Sequence, residues 1–159
     1  MYRTPSHLVI GFHAWDRTVG AAILAGRTHL KPSTNKYEWL GSGRYFWEGN
    51  YDRAVEWAEW LAGRTTKPCI ARPFVIGAII DLGHCLNLLE REHLKLLKTG
   101  YDNLVELSRK AGTPIPRNMP LREGSDLLLR NLACAVIETV HRLRRDAGQP
   151  AYDSVRGVF

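Results

Sequence analysis

No apolar run in this chain approaches the roughly 20 residues that a bilayer span requires, which argues against a membrane segment. The first residues, Met1-Tyr2-Arg3-Thr4-Pro5-Ser6-His7, lack the long apolar core of a signal peptide. Cysteine is scarce: Cys69, Cys85 and Cys134 are far apart, odd in number and without metal-ligand spacing. That pattern argues against a disulfide framework or a cysteine-based metal site, and for reduced thiols in a cytoplasm. His84 beside Cys85 lacks the further spaced ligands of a zinc site, so a structural role is expected for it. His93 and His141 have no partner motif and read as surface or core residues. There is no internal repeat and no low-complexity tract.

What is present is enough chain for one real core. The 159 residues are 45% hydrophobic, which excludes a disordered chain and points to a single domain. Net charge is +6 and the pI about 9.5. A basic surface can attract RNA, DNA or an acidic protein. The sharpest basic cluster, Arg142, Arg144 and Arg145, falls near the end of an expected helix, where it complements the helix dipole.

Leu8 to His13 reads as a short buried strand, apolar and β-branched at Val9 and Ile10. Asp16 or Thr18 can cap a helix from Val19 to Gly26. Residues 27 to 43 read as a polar loop, and Arg44 to Trp47 has strand propensity. Asn50 or Asp52 starts a helix to Leu61 whose buried face includes Trp57, and Gly63 ends it. Pro73 to Leu82 is the clearest buried strand. Beyond it, Leu86–Leu97, Tyr101–Ala111 and Ser125–Arg145 read as amphipathic helices, with a proline-rich loop at 112–120. Ser154 to Phe159 looks like the start of a strand. Either that strand pairs at a sheet edge or the fold is truncated at its C-terminus, with a late strand and an active-site group missing; three or four strands are few for a sheet-based core, which favours truncation.

Four motifs stand in order: Gly11-Phe12-His13, Ile23-Leu24-Ala25-Gly26, Ser33-Thr34-Asn35-Lys36-Tyr37-Glu38-Trp39-Leu40-Gly41 and Gly43-Arg44-Tyr45-Phe46-Trp47-Glu48. With the helix carrying Arg53-Ala54 and Trp57-Ala58, and the strand Val75 to Leu82, this set resembles the ADP-ribosyltransferase superfamily. The likeness is on the poly(ADP-ribose) polymerase or diphtheria-toxin side, near bacterial toxin-like members, and covers residues 8 to 85. Arg44 departs from it, since relatives usually carry an apolar residue there.

The resemblance implies an α+β fold with a split sheet, residues 8–85 forming an NAD-pocket half and 86–147 a helical elaboration within one domain. It implies NAD as substrate and transfer of ADP-ribose to a macromolecule, RNA, DNA or protein, with release of nicotinamide. By position His13 would bond the ribose beside adenine and Tyr45 would stack on nicotinamide, making these two the catalytic pair. Ala14 would contribute its main chain, Phe46 would flank the pocket, and Ser33 and Asn35 would serve the adenosine or phosphate side. A third catalytic group, usually a glutamate on a late strand, lies beyond everything matched; Glu48 reads as a loop or acceptor-side residue instead. No metal is implied. Relatives of this kind often act as toxins in toxin–antitoxin or anti-phage systems. The rival expectation is a non-catalytic module of the same fold that binds a protein such as an antitoxin.

Overall fold

β-branched and aromatic residues crowd the segments Leu8–Asp16 (β1) and Pro73–Asp81 (β3), and these segments form the longest ladder in the protein. They run antiparallel, from Leu8 opposite Asp81 to Asp16 opposite Pro73. The computed structural model describes residues 8–65, 69–120 and 129–158, which fold as two compact units. The first comprises the chain up to Pro32 and Arg44–Leu82; the second comprises Ser33–Gly43 and the chain from Gly83 onward.

In the first unit a two-residue strand, Trp47–Glu48 (β2), pairs with the other side of β1, giving the antiparallel order β2-β1-β3. Helix α1 (Arg17–Leu24) begins where β1 ends. Its cap, Asp16, accepts from the Thr18 amide at 2.9 Å and also from the amides of Ala71 (2.9 Å) and Arg72 (3.0 Å). One carboxylate thus ties the end of β1, the start of α1 and the entry to β3. Helix α2 (Tyr51–Ala62) is capped by Asn50 and buries Ala54, Ala58 and Leu61. Alternation along β1 sets Phe12 and Trp15 on opposite faces. Phe12 meets Tyr51 of α2 edge-on at 5.5 Å. On the other face Phe74 fills the space beside Gly20 of α1, where a Cβ would fall 2.3 Å from its ring.

β3 differs from its expected burial. Among the described residues it has a strand neighbour on one side only, none of its residues is fully buried, and Ile79 is 77% exposed. Trp57 differs too: small Ala54 and Ala58 let α2 approach the sheet closely, and Trp57 is left outward.

The second unit holds β4 (Cys85–Asn87), α3 (Arg91–Ala111), α4 (Asn131–Asp146) and β5 (Ser154–Arg156), with β4 and β5 parallel. Its core is Leu86, Cys134, Val136, Ile137 and Val140. The two helices expected at 86–97 and 101–111 are a β-strand followed by one helix that runs through Gly100. Gly100 is a packing glycine rather than a break: a Cβ there would come within 2.6 Å of Val140 Cγ2. α4 starts at Asn131, later than expected; residues 125–128 of that expectation lie outside the described residues. Arg144 and Arg145 do occupy its last turn.

His84, His93 and His141 gather around Tyr152. His84 stacks on the ring at 4.5 Å, and the other two meet it edge-on at 6.2 and 6.0 Å. The Arg144 guanidinium lies 4.3 Å from the same ring and donates to the Pro150 carbonyl. These contacts fasten the 148–153 segment to β4, α3 and α4. Among the described residues the protein is therefore a mixed α+β fold with four helices, a three-stranded antiparallel sheet and a two-stranded parallel one. Among the described residues no helix is long and apolar enough to cross a membrane.

Candidate functional site

Gly11 makes the first cluster possible. A Cβ there would lie 2.6 Å from Ile80 Cδ1 and 2.9 Å from Phe46 Cβ, so only glycine lets the segment before β2 come this close to β1. Two residues further on, on the same face, the His13 imidazole meets that segment. Its Nδ1 hydrogen-bonds the Tyr45 main-chain carbonyl. The Phe46 ring packs edge-on against it at 5.6 Å, and Trp15 lies at 4.8 Å. Burial pushes the His13 pKa down, and the Tyr45 hydrogen bond opposes that shift. The ring is therefore neutral near pH 7.

Ala14 follows on the opposite face and is 8% exposed. Tyr45 and Phe46 are half-buried. The structure thus brings the His13 ring, the Tyr45 carbonyl and the Phe46 ring together in the first unit, and Ala14 turns its side chain to the other face. What reaches His13 from the tyrosine segment is the Tyr45 main chain and the Phe46 ring. Arg44 points away: its Nε donates to the Leu30 carbonyl at 2.6 Å from an exposed position. Glu48 is exposed on β2 and paired with Gly11.

Ser33 and Asn35 belong to the second unit. Ser33 and Gly43 exchange backbone hydrogen bonds of 2.7 and 2.9 Å, closing the loop between them. Inside it the Ser33 hydroxyl donates to Glu38, and Asn35 Nδ2 lies 3.0 Å from both Ser33 Oγ and Glu38 Oε1. Helix α4 holds this loop from behind. Glu138 accepts from the Ser42 amide at 2.6 Å, the Cys134 thiol donates to the Asn35 carbonyl at 3.8 Å, and the Arg130 amide donates to the Tyr37 carbonyl at 3.0 Å. Gly41, at φ +83°, sits where a Cβ would be 3.0 Å from Ile137. Burial pushes the Cys134 thiol pKa up, with Glu138 and Glu38 adding to the effect, so it stays a thiol.

Glu38 and Glu138 are the polar residues that sequence reasoning missed. Glu38 stands inside the motif at an unspecified position, whereas Glu138 is 96 residues from its partner and carries no local signal. The second unit also has a cavity of about 350 Å³ at the start of α4, lined by Lys36, Arg117, Asn131 and Cys134 among others. Among the described residues no group of histidine, cysteine or carboxylate side chains is arranged to hold a metal ion. No protein-family model, curated protein or solved structure matches this chain.

Proposed function

We propose that this protein is an NAD-dependent ADP-ribosyltransferase that moves ADP-ribose from NAD to a macromolecule and releases nicotinamide. The observation that carries the reading is the junction of His13 with the Tyr45 segment. A carbonyl oxygen only accepts, so the hydrogen sits on His13 Nδ1 and the neutral ring offers Nε2 as an acceptor. An acceptor held in an aromatic nest suits a ribose hydroxyl, the role that the family resemblance implies for His13. In this reading the Tyr45 ring supplies a face for nicotinamide, and the main chain at Ala14 a donor and acceptor for its carboxamide. The mixed α+β class of the described residues is compatible with that family's fold.

The chemistry asked of these groups is alignment. The C1′–N bond breaks to an oxocarbenium-like sugar and neutral nicotinamide, and the acceptor's nucleophile adds at C1′ and loses its proton. Net charge +6 favours a nucleic-acid acceptor, and the reading is that of a toxin-type or anti-phage effector. The test is transfer of label from NAD in a mixture of RNA, DNA and cell extract. Tyr45→Ala should abolish transfer while circular dichroism stays unchanged. The lost stacking face removes about 1 kcal/mol of nicotinamide binding, and the lost alignment slows turnover further. Wild-type turnover in a folded Tyr45→Ala variant would overturn the mechanism.

A further inference from the structure

We propose that the open edge of β3 pairs with β3 of a second copy of this chain, antiparallel and two-fold about Gly77, joining two sheets into one. Among the described residues nothing pairs with the outer side of β3, although the strand is nine residues long. Open edges of that length are ordinarily blunted by a charge, a mid-strand proline or a bulge. β3 has none of these: Pro73–Ile80 carries no charge, its proline is the first residue, and its register against β1 is unbroken. The inference stands apart from the NAD reading.

The direction of the main-chain groups selects the partner. The Arg17 amide donates to the Arg72 carbonyl at 2.9 Å, one step beyond the pair Asp16–Pro73. Bonded and non-bonded pairs alternate in an antiparallel ladder, so Phe74, Ile76, Ala78 and Ile80 bond to β1. The Gly49 amide donates to the Ile10 carbonyl at 2.8 Å, which turns Ile10 toward β2 and gives the same phase. The outward N–H and C=O groups within β3 are therefore those of Val75, Gly77 and Ile79. A second copy laid antiparallel about Gly77 sets Gly77 opposite the partner's Gly77. It also sets Val75 opposite the partner's Ile79, and Ile79 opposite the partner's Val75. Every one of these outward groups then meets its complement. A helix spends its own main-chain groups internally and leaves such a row unpaired.

The side chains agree with this register. Ile79 and Ile10, which lies directly opposite it on β1, are both exposed. In the joined sheet Ile10, Ile79, the partner's Val75 and the partner's Ala14 form one apolar row, in which β-branched neighbours stabilise each other. The ends carry opposite charges. Asp81 of one copy falls opposite the partner's Pro73, next to the partner's Arg72, and the two-fold axis repeats the arrangement. A contact of this kind closes on itself, so assembly stops at two copies.

Light scattering over a concentration series and amide exchange by NMR, both on the full chain, test this. Wild type should reach twice the 18.0 kDa chain mass. Ile79→Lys sets a charge in the apolar row at an exposed position and should return the mass to one chain, with unchanged circular dichroism. In wild type every amide from Phe74 to Ile80 should exchange slowly. In Ile79→Lys those of Val75 and Gly77 should become fast, while those of Phe74, Ile76, Ala78 and Ile80, held by β1, stay slow. A chain that stays monomeric up to its solubility limit overturns the inference, and so does a dimer in which Val75 and Gly77 exchange fast. A folded Ile79→Lys variant that keeps the double mass overturns it too. If that variant does not fold, the wild-type mass and exchange pattern decide alone.

Discussion

His13 carries both a structural and a chemical role, and substitution separates them. Asparagine places an amide N–H near the position of Nδ1, so His13→Asn should keep the bond to the Tyr45 carbonyl and most of the stability. His13→Ala loses that bond, at about 1 kcal/mol. Both variants lose the Nε2 acceptor and should fail in NAD turnover, with stability read by chemical denaturation. The ring's titration gives a second prediction. Burial lowers the pKa of His13 and of His141 below the ordinary 6.5. The unfolded chain then binds protons that the folded chain resists, so their stabilisation is whole above 6.5 and lost as pH falls through the folded values. Melts from about pH 8 to about pH 5 should show a falling Tm, less steep in His13→Asn. The strand around His13 was legible in the sequence because its apolar run is long, whereas the strand expected over Arg44–Trp47 starts only at Trp47 and leaves Tyr45 before it. The bond between His13 and Tyr45 runs through a main-chain carbonyl, which no side-chain pattern announces.

At the scale of elements, α4 is the support of the Ser33–Gly43 loop. Glu138→Gln keeps an acceptor for the Ser42 amide and should leave the loop in place. Glu138→Ala exposes the amide and should loosen the loop locally, with the global Tm little changed. Hydrogen exchange at Ser42, faster in the alanine variant alone, checks the cause. Gly100→Ala tests the α3–α4 contact. Alanine favours the helix by about 1 kcal/mol over glycine, but the new methyl meets Val140 at 2.6 Å. Overpacking of that kind costs about 1–3 kcal/mol, so a net loss of stability is expected. Asp16 gives an acid-side prediction. The Arg72 amide, then the Thr18 and Ala71 amides, pull its pKa from 3.8 to about 2. Its contribution is present above 3.8 and lost as pH falls toward 2, a step that Asp16→Ala should lack in acid melts. β1, α2 and β3 were readable because their apolar periods are long. β5 was also readable, since a strand is expected from Ser154; β2 and β4 are two and three residues, too short for a period, and β4 finds its partner across almost the whole second unit. Glycine inside a helical pattern reads as a break, whereas Gly100 makes room for a neighbouring helix within α3.

For the whole molecule, the class was legible and the partition was not. Alternating strands and helices announce an α+β protein. That the 33–43 loop folds with the chain after Gly83, rather than with its sequence neighbours, depends on contacts such as Ser42 with Glu138 and Gly41 with Ile137. The central claim is that the His13–Tyr45 region holds NAD. Calorimetric titration of the full chain with NAD tests it most directly, with Tyr45→Ala titrated alongside after its fold is checked by circular dichroism. The account predicts saturable binding by wild type and loss of binding in Tyr45→Ala. Absence of binding to wild type, or equal binding by the folded variant, would contradict it.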